Sequence, residues 1–382
     1  MTVLPPAVVW DPRFRDYDFG GDHPFSETSR DLAVQLFEST LAPEERDAVA
    51  WIREVPPSSR AELERFHDRG YLDFVEEAGL IDQRVYLDRG DTPAFPGCFE
   101  ASARLAGGAL AALRRTLESG RPAFHPGGGL HHAHPDRASG FCVLNDLAVA
   151  IAEARSKGLK VAYLDIDAHH GDGVMYGFYG DGGVLDLDFH QDGRTLFPGT
   201  GFPSETGRGD GRGLKVNVPL PPTAGDEALL PIFRRVVPPM IREFRPDLIV
   251  LQHGVDGHVG DPLAHLQYTP SAYAEVDRTM LALAEEHSGG RLLVTGGGGY
   301  RPESVTRVLA RTGRILGHLP TPADSAPLPG EWRVEFFDSI GTVAPAAWGE
   351  TGSSLPSRWR PELETSLVSE LEAALGRSFP RP

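Results

Sequence analysis

Between Val161 and Asp172 the chain reads Val-Ala-Tyr-Leu-Asp-Ile-Asp-Ala-His-His-Gly-Asp, an apolar run that leads into three carboxylates and two imidazoles. In an extended chain alternate side chains share a face. Asp165, Asp167 and His169 are therefore expected to project together, with Leu164, Ile166 and Ala168 turned the other way. Carboxylates and an imidazole converging at a strand end are the usual material of a divalent metal site. A solvated polar strand exit is the plainer alternative, but it leaves the apolar residues opposite, and Gly171 and Gly173 just after, unexplained. Asp256, beyond another apolar run at 246–251, completes the set. Asp167, His169 and Asp256 offer two oxygens and one nitrogen. Three protein ligands leave a coordination position open, as in a catalytic rather than a structural zinc site. The two carboxylates also suit Fe2+ or Mn2+. Such an ion lowers the pKa of bound water and polarises a carbonyl.

Two further features carry chemistry. His131 and His132 follow Gly127, Gly128 and Gly129; taken alone they are as readily two ordinary loop histidines. Asp165 and Asp172, however, are not needed as metal ligands. A carboxylate bonded to the far nitrogen of an imidazole fixes its tautomer and raises its basicity. Two His–Asp dyads beside a metal supply a general base and a positively charged partner. Tyr300 follows four consecutive glycines, Gly296 to Gly299, which let backbone approach a ligand closely. A phenol there suits stabilisation of a developing oxyanion; a tyrosine that merely covers the loop is the plainer alternative. A phosphate loop is rejected there, because neither a GKS/T ending nor a GxGxxG-plus-acid context is present.

The elements that must position these groups alternate in type. Strands are expected at 8–10, 122–124, 161–164, 184–189, 215–220, 246–251 and 291–295. Helices are expected at about 29–41, 61–79, 98–119, 145–156, 226–244, 271–286 and 302–316. Residues 90–97 form a rigid turn-rich loop, 318–360 are Pro-rich and irregular, and 361–375 suit an amphipathic terminal helix. This order predicts an α/β fold with a mostly parallel central sheet flanked by helices, its site beyond the carboxyl ends of the strands. At 382 residues one large domain is accommodated, here 1–317, with 318–382 as an extension packed on it.

Composition narrows the class. The net charge of −17 opposes nucleic acid and anionic membrane and tolerates a basic protein segment. Two cysteines, Cys98 and Cys142, exclude a disulfide framework and a cysteine-rich zinc module. No apolar run reaches the length of a membrane span and no signal pattern opens the chain, so a cytoplasmic enzyme is expected.

Six motifs occur in order: Leu130-His131-His132-Ala133; Ala138-Ser139-Gly140-Phe141-Cys142; Asp165 through Gly173; Phe197-Pro198-Gly199-Thr200-Gly201; Asp256 with Gly260-Asp261-Pro262; and the glycine run ending in Tyr300. Together they resemble the zinc-dependent histone deacetylase superfamily, with its arginase-like fold, over roughly residues 8–316. The loop 90–97 is most similar to the bacterial acetoin utilization branch. The resemblance implies zinc on Asp167, His169 and Asp256, and a general base and acid in His132 with Asp172. It makes His131 with Asp165 the electrostatic partner and Tyr300 the binder of the scissile carbonyl. Phe141 and Phe197 would wall a narrow channel for an acyl-lysine stem, Gly140 would line it, and Asp91 would grip the substrate backbone at the rim. A structural potassium would use Asp165, Asp167, His169, Asp188 and Phe189, and a second cation would lie around Phe178, Asp181 and Val184.

The implied reaction is hydrolysis of an N-acyl-lysine amide on a protein such as an acyl-CoA synthetase. Acetylpolyamine hydrolysis is the alternative; related amidohydrolases carry an acidic gatekeeper after Gly-Asp-Pro, where Leu263 stands here. A two-manganese ureohydrolase needs further bridging carboxylates, and a silent acyl-lysine reader would not need the complete ligand and dyad set. The chain departs from the family at Phe25-Ser26-Glu27-Thr28, where a basic, Pro-containing run is usual, at Leu130 in place of a frequent Trp, and at Asp188 in place of a common Ser.

Overall fold

The computed structural model describes residues 4–21, 23–81, 85–349 and 359–380. Among them eight strands form one sheet: β1 (Ala7–Val9), β2 (Ala50–Ile52), β3 (Ala123–His125), β4 (Val161–Asp165), β5 (Val184–Gln191), β6 (Lys215–Leu220), β7 (Leu248–Gln252) and β8 (Leu292–Thr295). Their order is β2-β1-β3-β8-β7-β4-β5-β6 and every pairing is parallel. A parallel sheet has both faces covered, so its strands read as continuous apolar runs. β4 (Val-Ala-Tyr-Leu-Asp) and β7 (Leu-Ile-Val-Leu-Gln) do so and are buried along their whole length at the centre. Their one polar residue each, Asp165 and Gln252, stands at the carboxyl end, and the two are register partners.

The helices that cover the sheet are α1 (Thr28–Ser39), α2 (Arg60–Leu63), α3 (Arg69–Ala78), α4 (Cys98–Ser119), α5 (Asp146–Ser156), α6 (Asp172–Gly177), α7 (Asp226–Phe244), α8 (Pro270–His287), α9 (Pro302–Leu316), α10 (Gly330–Ile340) and α11 (Pro361–Leu375). The long expected helices appear at their expected places. The helix expected over 61–79 is instead two, α2 and α3, because α2 ends at Leu63 and the chain turns before restarting at Arg69. α10 lies inside the segment expected to be irregular: Trp332 and Phe336 anchor it, and the Trp332 indole donates to the carbonyl of Leu32 on α1 (2.8 Å). α11 rests against β6 and α7, with Glu372 near Arg235 at 3.5 Å. No helix among the described residues is long and apolar enough to cross a membrane.

Candidate active site

The loops leaving β3, β4, β7 and β8 meet above the carboxyl ends of adjacent strands. β4 stops at Asp165, so strand alternation does not itself aim Asp167 and His169; the turn after it does. Asp165 Oδ1 accepts the N–H of Asp167 (3.0 Å), and Asp167 Oδ1 accepts the N–H of His169 (2.9 Å). Asp256 reaches across from the β7 exit and accepts the N–H of Ala168 (2.7 Å). Ligand atoms of Asp167, His169 and Asp256 consequently lie within 4.8 Å of one another, all three buried.

These residues fit a divalent ion. His169 Nδ1 stands 3.1 Å from Asp167 Oδ1 and 2.9 Å from Asp256 Oδ2. One ring nitrogen carries at most one hydrogen and cannot donate along both directions. Three donors thus aim at one point, which suits a cation. Burial and the neighbouring charge of Asp167 push Asp256 up to about 7, so the protein by itself does not comfortably hold both carboxylates ionised. Gly254 and Gly298 complete the cradle: a methyl on either would lie 2.1 Å from Asp167 Oδ2 or 2.0 Å from Asp256 Oδ2.

Both dyads form. His131 Nδ1 donates to Asp165 Oδ2 (2.8 Å) and His132 Nδ1 donates to Asp172 Oδ1 (2.7 Å). The Nε2 atoms of the two rings are 3.0 Å apart, a hydrogen bond only if one of them carries the proton. Electrostatics decides which one. Burial opposes a charged ring at His131, but the Asp165 and Asp167 carboxylates outweigh it and raise the group to about 10. Burial and the adjacent His131 charge take His132 down to about 4, against the pull of Asp172. The two shifts run in opposite directions: they favour the charge on His131 and leave Nε2 of His132 unprotonated.

Tyr300 is positioned through its backbone: its N–H donates to Asp261 Oδ2 (2.9 Å). Its hydroxyl stays protonated because burial, with the Asp256 and Asp167 charges, holds it well above the usual phenol range. The cleft over the ligands is lined by His131, His132, Gly140, Phe141, Asp167, His169 and Tyr300. Phe141 meets Tyr300 edge-on at 5.9 Å, and Phe197 meets His132 edge-on at 5.1 Å. Gly140 has φ +53°, and a Cβ there would lie 2.5 Å from the His132 ring and 2.8 Å from Phe197. Only glycine leaves room between them.

Asp91 stands outside this cleft, in a neighbouring cavity with Phe197. Its loop is tied by Asp88, whose Oδ1 accepts the N–H groups of Gly90, Asp91 and Thr92. Leu263 is half-buried beside Asp261, to which its N–H donates (2.9 Å), and does not line the cleft described above. Three of the residues assigned by resemblance to monovalent cations, Asp188, Val184 and Asp181, also bond to protein groups. Asp188 accepts from Gly171 N–H (2.7 Å) and His190 Nδ1 (2.6 Å), and the carbonyl of Val184 accepts from the buried Lys215 ammonium (2.6 Å). Asp181 forms a two-pronged pair with Arg155 (2.8 and 2.9 Å). Phe189 is buried against Phe233, and Phe178 stacks on Phe66.

Several supporting residues are absent from the sequence reading. Gln252 donates to Asp167 Oδ2 (2.9 Å) and accepts from Gly254 N–H (2.7 Å). The Tyr163 hydroxyl donates to Asp165. Asn145 caps α5 through Ala148 N–H (2.8 Å) and donates to the carbonyls of His131 and Ala133 (3.1 and 2.9 Å), fixing the histidine loop. A polar residue closing an otherwise apolar strand, as Gln252 does, was the one available signal.

A histone deacetylase domain is matched over residues 23–316. The acetoin utilization protein AcuC of Bacillus subtilis (strain 168) is 35% identical over 380 residues, covering 97% of this chain and 96% of that one. The protein of the same name from Staphylococcus aureus (strain MRSA252) is 34% identical over 355 residues, covering 90% and 89%, and that of Staphylococcus xylosus is 32% identical over 360, covering 90% of each. The chain belongs to the histone deacetylase family, and its all-parallel sheet with flanking helices is the fold of that class. The likeness to the acetoin utilization proteins runs beyond the matched domain into the C-terminal segment.

Proposed function

We propose that this protein is a metal-dependent amidohydrolase that removes acetyl or other acyl groups from N-acyl-lysine of a protein. The observation that carries the reading is the convergence of three buried ligands, Asp167, His169 and Asp256, beside two His–Asp dyads. Asp167, His169 and Asp256 would hold the ion, zinc in the first instance with Fe2+ or Mn2+ as alternatives, and when bound it supplies Lewis-acid polarisation of the carbonyl and acidification of a water. His132 Nε2 has the lone pair that takes a proton from the attacking water, while Asp172 holds the opposite nitrogen protonated. The charge on His131 favours the negative charge that builds up as the water attacks. Tyr300, kept neutral, donates its O–H to the carbonyl oxygen as it becomes an oxyanion. His132 then returns its proton to the departing amine. Phe141 and Phe197 flank an apolar lysine stem, and Gly140 leaves it room. Leu263 stands outside the cleft but offers no carboxylate to a second cationic amine, which is consistent with acyl-lysine as the substrate. An acyl-CoA synthetase is a substrate consistent with the acetoin-utilization relatives.

The test is a panel of acyl-lysine peptides and acetylspermidine, run with metal removed and then restored. Deacylation of the peptides, lost on chelation and regained with the ion, is expected. Faster hydrolysis of acetylspermidine, or rates from His132→Ala near those of the unaltered protein, overturns the assignment.

A further inference from the structure

His134 has no part in the reading above, yet it touches the same carboxylate as the general base. Asp172 opens α6 and is buried. Its Oδ1 accepts from His132 Nδ1 (2.7 Å), and its Oδ2 accepts from His134 Nε2 (3.0 Å). A carboxylate held by one oxygen can turn about its Cβ–Cγ bond; a donor on each oxygen sets the plane. The second donor also bears on charge. Burial alone would push this carboxyl up, but the hydrogen bonds from His132 and His134 hold it well below the usual carboxylate range. His134 is itself fixed: its N–H donates to the carbonyl of Arg137 (2.9 Å), and its ring lies nearly parallel to that of Tyr176 (17°, centroids 6.3 Å). Tyr176 is tethered in turn by its hydroxyl to Glu205 (2.6 Å). His134, Asp172 and Tyr176 line a cavity of about 490 Å3 that opens to the surface beside Phe197, apart from the cleft over the ligands.

We propose that His134 is a positioning residue for the proposed reaction: by donating to the second oxygen of Asp172 from the side cavity, it fixes the carboxylate that orients His132. This rests on His132 being the general base, and the experiment separates the two claims. His134 does not line the cleft over the ligands, so its loss is expected to act on turnover rather than on binding. Loss of partners that orient a catalytic histidine commonly costs on the order of tenfold or more.

The decisive comparison is His134→Gln with His134→Met, two side chains of similar length, one with an N–H donor and one without. Each is assayed for kcat and KM on an acetyl-lysine peptide, with metal content and Tm measured in parallel. The methionine variant is expected to lose about tenfold in kcat with KM and metal content unchanged, and the glutamine variant to recover to within about threefold of the unaltered protein. In His134→Ala, added imidazole, which the cavity can admit, is expected to restore part of the lost turnover. Equal kcat in the glutamine and methionine variants, whether both high or both low, overturns the proposal. Failure of the functional reading shows itself separately, as undiminished turnover in His132→Ala.

Discussion

Gly298 gives the sharpest quantitative test of the metal centre. An added Cβ at this position would stand 2.0 Å from Asp256 Oδ2 and 2.8 Å from Asp167 Oδ2, where ordinary contact begins at 3.4 Å. Gly298 does not have a left-handed backbone, unlike its neighbours Gly297 (φ +143°) and Gly299 (φ +134°), so Gly298→Ala is a test of space alone. The Asp256 carboxylate would have to retreat by about 1.4 Å, against a tolerance of roughly 0.2 Å for metal–ligand distances. Asp256 has little freedom to do so, since its Oδ1 is held by Ala168 N–H at 2.7 Å. Gly298→Ala is therefore expected to lower affinity for zinc by at least about a hundredfold and to abolish deacylation, while the secondary structure persists. Affinity is read by competition with a chromogenic chelator, and fold by circular dichroism. Gly70→Ala is the control: it lies in α3 with nothing within 4 Å of its added Cβ, and is expected to stabilise slightly, by about 0.5–1 kcal/mol. Zinc affinity in Gly298→Ala within a few fold of the unaltered protein would refute the placement of these ligands.

Tyr300→Phe keeps the ring against Phe141 and removes the donor; kcat is expected to fall by about 10²–10³ with metal content intact, checked by steady-state kinetics and elemental analysis. Metal titration should end at one divalent ion per chain, and two tightly bound transition ions would count against the single convergent ligand set among the described residues. Glu27 is buried with no hydrogen-bond partner on either oxygen, and burial raises it from 4.5 to about 8. A carboxyl raised on folding stabilises fully below its unfolded pKa and loses that contribution as pH rises through the folded one. Between about pH 4.5 and 8 Glu27 should therefore cost the protein on the order of a few kcal/mol, and Glu27→Gln should flatten this fall in Tm. Parallel melting curves for the two proteins across that window would contradict the burial of the charged form.

The sequence by itself determined the class of the fold and the residues of the candidate site. Apolar runs such as 161–164 and 248–251 are legible because strands buried on both faces have no polar alternation to maintain, and each ends where the next polar residue meets the site. The residues brought together, Asp167, His169, Asp256, His131, His132, Asp165, Asp172 and Tyr300, were all legible from type and position, while the pairing of each histidine with its aspartate came from the family resemblance. Short or half-exposed elements were not. β2, three residues of intermediate burial, carries too little pattern to read, and α10 is held by buried Trp332 and Phe336, the Trp332 indole reaching a carbonyl 300 residues away in the chain.

The family resemblance implied how the groups divide their work, and only the tertiary structure shows the contacts behind that division. Strand alternation grouped Asp165 with Asp167 and His169. The end of β4 at Asp165 instead turns its carboxylate to His131 and leaves the other two to meet Asp256 from β7. Adjacent in sequence and identical in type, His131 and His132 differ because one lies near two buried carboxylates and the other next to the charge this creates. His134 carries no sequence signal for its hydrogen bond to Asp172, since that contact depends on where α6 begins relative to the histidine loop. Residue types set what chemistry is available; the distances between charges in a buried site set which atom holds the proton, and those distances exist only once the strands are side by side.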